Sequence, residues 1–204
     1  MSISFLENTA QYLVNKYGKD LSEVCIVMPN RRAGLFLRKF LAARLTTPVW
    51  SPEVFSIEDF MASVSGLQEV EPVHLLVDLY SIHLEIDKEK AQPFEGFLQW
   101  GSQLLADFNE IDRYMADAAY LFSYLDEVRA ISLWNPDKSP LTEFQLNYLK
   151  FYHSLGTYHS LLTSRLISRG QGYQGLVFRH AADQVERQTA RLDLVRARRQ
   201  FRIR

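Results

Sequence analysis

The residues best placed to do chemistry are Arg31, Arg32, Arg38 and Lys39, within the stretch NRRAGLFLRKFLA. At about 100° per residue on a helix, they share one sector of roughly 120°. Ala33, Phe36, Leu37, Phe40 and Leu41 occupy the other side. One face would then pack on a sheet while the cations point outward. They lie near the helix start, where unsatisfied N–H groups favour anions. This arrangement suits contact with a phosphate backbone, which positions a strand without reading its sequence. The plainer reading of the same residues is an ordinary solvated basic face.

Other chemistry-bearing residues are less well organised. Asp107 and Glu110, in DFNEID, stand three apart and could present two carboxylates on one helix face. The segment lacks the glycine of a calcium-binding loop. Nuclease chemistry would also require a lysine and further acids converging from strands, and none accompany the pair, so a polar helix face is the expected reading. The histidines (His74, His83, His153, His159 and His180) show no zinc-binding spacing. Cys25 is the only cysteine. It lies in an apolar run and is expected to be a buried strand residue rather than a nucleophile. Gly34, Gly101, Gly156, Gly172 and Gly175 form no dinucleotide fingerprint, and GYQG at 172–175 is expected to be a turn. No G-x-x-x-x-G-K-[ST] occurs, so a nucleotide phosphate has no phosphate loop to hold it. No catalytic set, metal site or cofactor site is expected.

The elements that must position the cations can be read locally. Phe5, Leu6, Ala10, Leu13, Val14 and Tyr17 recur with a helical period from Ser4, and Gly18 supplies a stop. Val24–Met28 reads as a strand buried on both faces, and Asn30 as the cap of the basic helix. A second strand is expected around Val49–Phe55, weakened by Pro52. Ser56-Ile-Glu-Asp59 has the form of a capping box that opens a short helix ending before Gly66. From Pro72 onward strand signals almost vanish. Pro72–Glu89, Phe94–Tyr114, Asp117–Ile131 and Leu141–Ser168 read as amphipathic helices, punctuated by Pro93, Pro136, Pro140 and Gly170. Leu76, Leu79, Tyr80, His83 and Ile86 form one apolar stripe; Phe97, Trp100, Gly101, Leu104, Leu105 and Phe108 form another. The expected division is an α/β piece at 1–70, a helical piece at 71–178 and an arginine-rich tail at 179–204.

Composition narrows the function classes. The chain has 204 residues, 47% of them hydrophobic and 13% aromatic, enough for a buried core. Its net charge of −1 hides an asymmetry, because Arg179–Arg204 holds eight arginines against three acids. The preceding part is therefore mildly acidic, and a nucleic-acid argument must rest on a local patch. The tail reads either as a basic helix for nucleic acid or anionic membrane, or as a non-native ending. One cysteine permits no internal disulfide, and the amino terminus has no signal-peptide pattern. No window approaches the length of a membrane span. A cytoplasmic location follows as the expectation.

The segments CIVMPNRRAGLFLRKFLA, PVWSPEVFSIEDF, FEGFLQWGSQLLADFNEIDRY and GYQGLVFR, in that order, resemble the N-terminal region of AddB-like chains. These are the PD-(D/E)XK-nuclease-bearing, UvrD/RecB-type helicase-related subunits of the Bacteroidetes type. The likeness covers roughly residues 1–182. It implies an α/β, predominantly helical fold: a partial RecA-like (helicase 1A-like) strand–helix unit without a phosphate loop, followed by a helical insertion. It also implies a truncated chain that acts in DNA end processing during recombination and double-strand-break repair. Its expected partners are DNA, as a single strand or a duplex end, and an AddA-like helicase–nuclease subunit. The family's nuclease residues lie beyond this chain, and one cysteine cannot ligate an iron–sulfur cluster. Arg31, Arg32, Arg38 and Lys39 are offered as DNA contacts from the helical wheel, not from known family sites. The alternative is a docking fragment without DNA contact, using Phe97, Trp100 and Phe108 if these are exposed.

Overall fold

A strand, a helix and a parallel second strand form the centre of the amino-terminal part. The computed structural model describes residues 4–88, 91–130 and 142–200. The chain is a predominantly helical α/β protein that divides into two compact units, residues 1–64 and 65–204.

In the first unit, Ser4 caps helix α1 (Phe5–Tyr17) through a reciprocal capping box with Glu7, and Gly18, at φ 51°, ends it. A 3-10 segment, Gly18–Glu23, leads to strand β1 (Cys25–Met28). Helix α2 (Arg31–Ala42) follows, capped by Asn30, whose Oδ1 accepts from the Ala33 N–H at 2.8 Å. Strand β2 (Glu53–Ser56) then pairs parallel to β1, with Cys25 opposite Glu53 and Met28 opposite Ser56. It begins directly after Pro52, which has no N–H for a ladder. Helix α3 (Ile57–Ser65) starts on the expected box, since the Ser56 hydroxyl accepts from the Asp59 N–H at 3.1 Å and donates to Oδ2 of Asp59 at 2.8 Å. Ala10, Leu13, Leu21, Met28, Leu37 and Leu41 make the core, with Ile26 and Val54 packed against it. At Gly34 a Cβ would stand 3.1 Å from Val54 Cγ1, so glycine lets α2 lie close on β2.

One expectation here is corrected. Strand β1 is not buried on both faces: Cys25 and Val27 are exposed, and Met28 is the residue turned into the core. Helices α1 and α2 both pack on the face that carries Ile26 and Met28, which leaves Cys25 and Val27 on the exposed one.

The second unit is built from α4 (Pro72–Ile86), α5 (Phe94–Arg113), α6 (Ala118–Ala130), α7 (Glu143–Ser168) and α8 (Gln174–Gln200). Two short strands, β3 (Gln68–Glu69) and β4 (Gln171–Gly172), pair in parallel and tie its beginning to its end. The residues expected to form only a turn therefore include a strand and the start of α8. The buried stripe of α4 is Leu75, Leu79, Ile82 and His83, while the expected Leu76, Tyr80 and Ile86 are only half-buried. On α5 the core residues are Phe97, Gly101, Leu104, Leu105 and Phe108, with Asp112 also buried. Helix α8 crosses α5 at Gly175, where a Cβ would fall 2.1 Å from the Asn109 carbonyl oxygen. Arg179, counted with the tail in the sequence, and the buried Ala181 both belong to this core. The prolines at 136 and 140, the expected helix limits at 89, 131 and 141, and residues 201–204 lie outside the described residues.

Candidate functional site

In the first unit, α2 turns Gly34, Leu37 and Leu41 inward and leaves Arg31, Arg32, Arg38 and Lys39 exposed. The four expected contact residues thus share one exposed flank, but they are not equivalent. Arg31 grips Asp59 with both arms of its guanidinium, Nε to Oδ2 at 2.9 Å and Nη2 to Oδ1 at 2.6 Å. Asp59 also caps α3, so this pair fastens the start of α2 to the start of α3. The Arg31 and Ser56 hydrogen bonds hold the Asp59 carboxyl down to about 2, and Asp59 in turn raises Arg31. Arg38 donates to the Val54 carbonyl at 3.0 Å, which ties α2 to β2. Arg32 lies over the Phe36 ring, 5.8 Å from its centroid. Among the described residues, neither Arg32 nor Lys39 has an ion-pair partner. Arg31 and Arg38 therefore carry structural contacts, whereas Arg32 and Lys39 carry charge that no such contact engages. Seven residues apart, Arg32 and Lys39 stand about 10 Å apart along the helix axis on nearly the same side.

The second unit contains a group that local sequence patterns did not reveal. Asp112 on α5 is 1% exposed, yet ionised and surrounded by donors. His159 on α7 approaches it at 3.2 Å through Nε2, and Tyr173 donates its hydroxyl to Oδ2. Arg179 on α8 places Nε 2.8 Å from Oδ1, an ion pair too bent for a hydrogen bond. The same guanidinium donates to the carbonyls of Ile111 and Ala116, which close the end of α5. Burial pushes the Asp112 carboxyl up, but the His159 and Tyr173 hydrogen bonds and the charges of His159 and Arg179 outweigh it and hold the group below its ordinary value. Tyr173 is driven far up by burial and by Asp112, so its hydroxyl remains a donor. His159, Tyr173 and Arg179 together surround the carboxylate. The arrangement joins three helices.

The remaining candidates are dispersed. Asp107 accepts from Gln103 at 2.8 Å, and Glu110 lies 3.9 Å from Arg113; both acids are exposed on a polar helix face. Among the described residues, no three His, Cys, Asp or Glu side chains gather as a metal site would require. Phe97 and Phe108 are fully buried and Trp100 is half-buried among rings. The docking surface expected from these three is therefore corrected: they pack the helical unit. Among the described residues, no helix is long and apolar enough to cross a membrane.

Fold and geometry define a predominantly helical α/β protein with a cationic helix face in one unit and a buried ionic cluster in the other. No protein-family model matches the chain, and no curated protein is significantly similar to it.

Proposed function

We propose that the chain is a non-catalytic, helicase-like segment of a DNA end-processing nuclease subunit of the AddB type, acting in the cytoplasm. In this reading residues 1–64 are a reduced RecA-like strand–helix–strand unit. The segment contacts DNA phosphates through α2, alongside a helicase–nuclease partner of the AddA type. One observation carries the DNA contact: Arg32 and Lys39 lie exposed on one side of a helix fixed in place by Arg31 and Arg38, with no acid of the described residues opposing them. The parallel β1–α2–β2 order supports the RecA-like reading. Phosphate contacts of this kind give sequence-indifferent, salt-sensitive affinity.

Fluorescence anisotropy with single-stranded and duplex DNA at several salt concentrations tests the site. Replacing Arg32 and Lys39 with glutamine should weaken binding to both and reduce the salt slope by roughly 1.5 to 2. Equal affinity and slope in the double variant would refute the assignment. A parallel variant with Arg187 and the later arginines changed to glutamine isolates any polycation effect. Arg179 is left in place because it belongs to the core.

A further inference from the structure

The second unit carries a cleft of about 1080 Å³ whose lining includes His83, Gln92, Trp100, Phe151 and Tyr158. Its lining shares no residue with the Asp112 cluster, and nothing in the reading of α2 uses it.

The proton positions in its wall can be worked out. The Gln92 backbone N–H points to His83 Nε2 at 3.2 Å. An amide N–H can only donate, so Nε2 must be the unprotonated nitrogen. Burial favours the neutral ring, which lowers the His83 pKa against the opposing pull of Asp87. The ring proton then sits on Nδ1, 2.7 Å from the Tyr158 hydroxyl oxygen, and must be donated to it. Tyr158 keeps its own proton, because burial and the nearby Asp87 push it up to about 12. That hydrogen has no acceptor among the described residues, although Tyr158 is only 2% exposed. A buried donor without a partner is costly, and a ligand acceptor would relieve it.

The rest of the wall points to the same kind of ligand. Gln92 is held by three contacts: its N–H on His83, its carbonyl accepting from the Tyr80 hydroxyl at 3.3 Å, and its Oε1 accepting from Trp100 Nε1 at 3.2 Å. This leaves its amide hydrogens as further donors. Lys88 and Lys150 line the cleft as cations. Of the two acids there, Glu85 is already bound by Arg165, which leaves Asp87. Among the described lining residues, donors and positive charge therefore exceed acceptors. Trp100 meets Phe151 edge-on at 5.3 Å, and both rings are only half-buried. Sites for small molecules reach about 1,000 Å³ and combine such rings with a few fixed polar groups.

We propose that this cleft binds a flat aromatic ring bearing an anionic group, of the nucleotide class. The ring packs against Trp100 and Phe151, Lys88 and Lys150 hold the anion, and the Tyr158 hydroxyl donates to a ligand acceptor. A free nucleotide and one nucleotide of a single strand share this chemistry.

Calorimetric titration of the 204-residue chain with thymidine and adenosine monophosphates, inorganic phosphate and an eight-residue oligothymidylate tests the proposal. Using the Arg32→Gln, Lys39→Gln background removes the α2 contribution, so the two sites fail separately. Saturable nucleotide binding is expected, with inorganic phosphate at least tenfold weaker. Tyr158→Phe and Lys150→Gln should each weaken it several-fold. Monophosphates binding as tightly as the oligonucleotide would identify the free nucleotide as the source. Oligonucleotide binding alone, weakened by Lys150→Gln, would identify the strand. Tyr158→Phe strands the His83 Nδ1–H, so its fold is checked by thermal melting; the exposed Lys150→Gln carries the test if it does not fold. Absence of saturable binding, phosphate binding as tightly as nucleotide, or affinity unchanged by Lys150→Gln would overturn the proposal.

Discussion

The two units each contain an arginine–aspartate pair at hydrogen-bonding distance, and the pairs have opposite physical consequences. Arg31 and Asp59 meet with their side chains 81% and 34% exposed. Arg179 and Asp112 meet with the carboxylate 1% exposed. Water and salt compete with the first pair, so it can be exchanged for a phosphate at little cost. The second has no water to fall back on, and its carboxylate depends on every donor that the helices bring to it. An ion pair at similar distance is thus an adjustable surface contact at Arg31–Asp59 and a buried structural contact at Arg179–Asp112. The cationic face of α2 keeps charge that no acid of the described residues offsets at Arg32 and Lys39.

The largest effect that would break this contrast is expected at Asp112. Asp112→Ala removes the acceptor of Tyr173 and the counter-charge of Arg179 while leaving both in place. Stability should fall by about 3–5 kcal/mol, the range for breaking a buried charge pair from one side. Urea unfolding measures it. A loss below about 1 kcal/mol would place Asp112 in the same class as the exposed pair, and the distinction between the units would collapse.

A second comparison sets glycine against glycine. At Gly175 an added methyl would overlap the Asn109 backbone, and the Gly175 N–H also donates to Asn109 Oδ1 at 2.8 Å. Backbone cannot rotate aside, so α8 must move off α5. Gly175→Ala should cost at least the 1–3 kcal/mol typical of overpacking. At Gly34 the neighbour is a valine methyl, 3.1 Å away, which can give by a few tenths of an ångström. Gly34→Ala should lose less than Gly175→Ala when both are unfolded in urea. The reverse order would show that the α2–β2 contact, not the α5–α8 crossing, is the stiffer of the two.

The pattern of what could be read in advance follows from distance along the chain. The Asn30 cap, the Ser56–Asp59 box and the helical periods are local, and each depends on residues three or four apart. The outward cations of α2 belong to the same class. Asp112 meets His159 and Tyr173 from 47 and 61 residues away, and no short motif records such a meeting. The β3–β4 pair has two residues per strand, too few to display an alternating period. Cys25 departs from its expected burial for a related reason. An unbroken apolar run looks the same whether helices cover one face of the sheet or both, and the placement of distant helices decides. Arg179 was grouped with the tail by composition alone, although its place is set by Asp112 and by the carbonyls at the end of α5.

The smallest expected effect sharpens the exposed side of the contrast. Asp59 is held at about 2, against an ordinary value of 3.8, by hydrogen bonds from Arg31 and Ser56 and by the Arg31 charge. A carboxyl depressed in the folded state contributes stability above its unfolded value and loses it as pH falls through the folded one. The contribution of the Arg31–Asp59 clasp should therefore be complete above about 4 and fade towards about 2. Carbon-detected NMR titration of the Asp59 carboxyl would follow this directly. In Arg31→Gln the midpoint should move back towards 3.8, though not all the way, because the hydrogen bonds that the Ser56 hydroxyl and backbone N–H donate to the carboxylate remain. The variant should stay folded at neutral pH, since both groups are solvated. A midpoint unmoved by Arg31→Gln would mean that the guanidinium does not hold Asp59 in solution. Arg31 would then be as unspent as Arg32 and Lys39, and the cationic face of α2 would have three uncommitted charges instead of two.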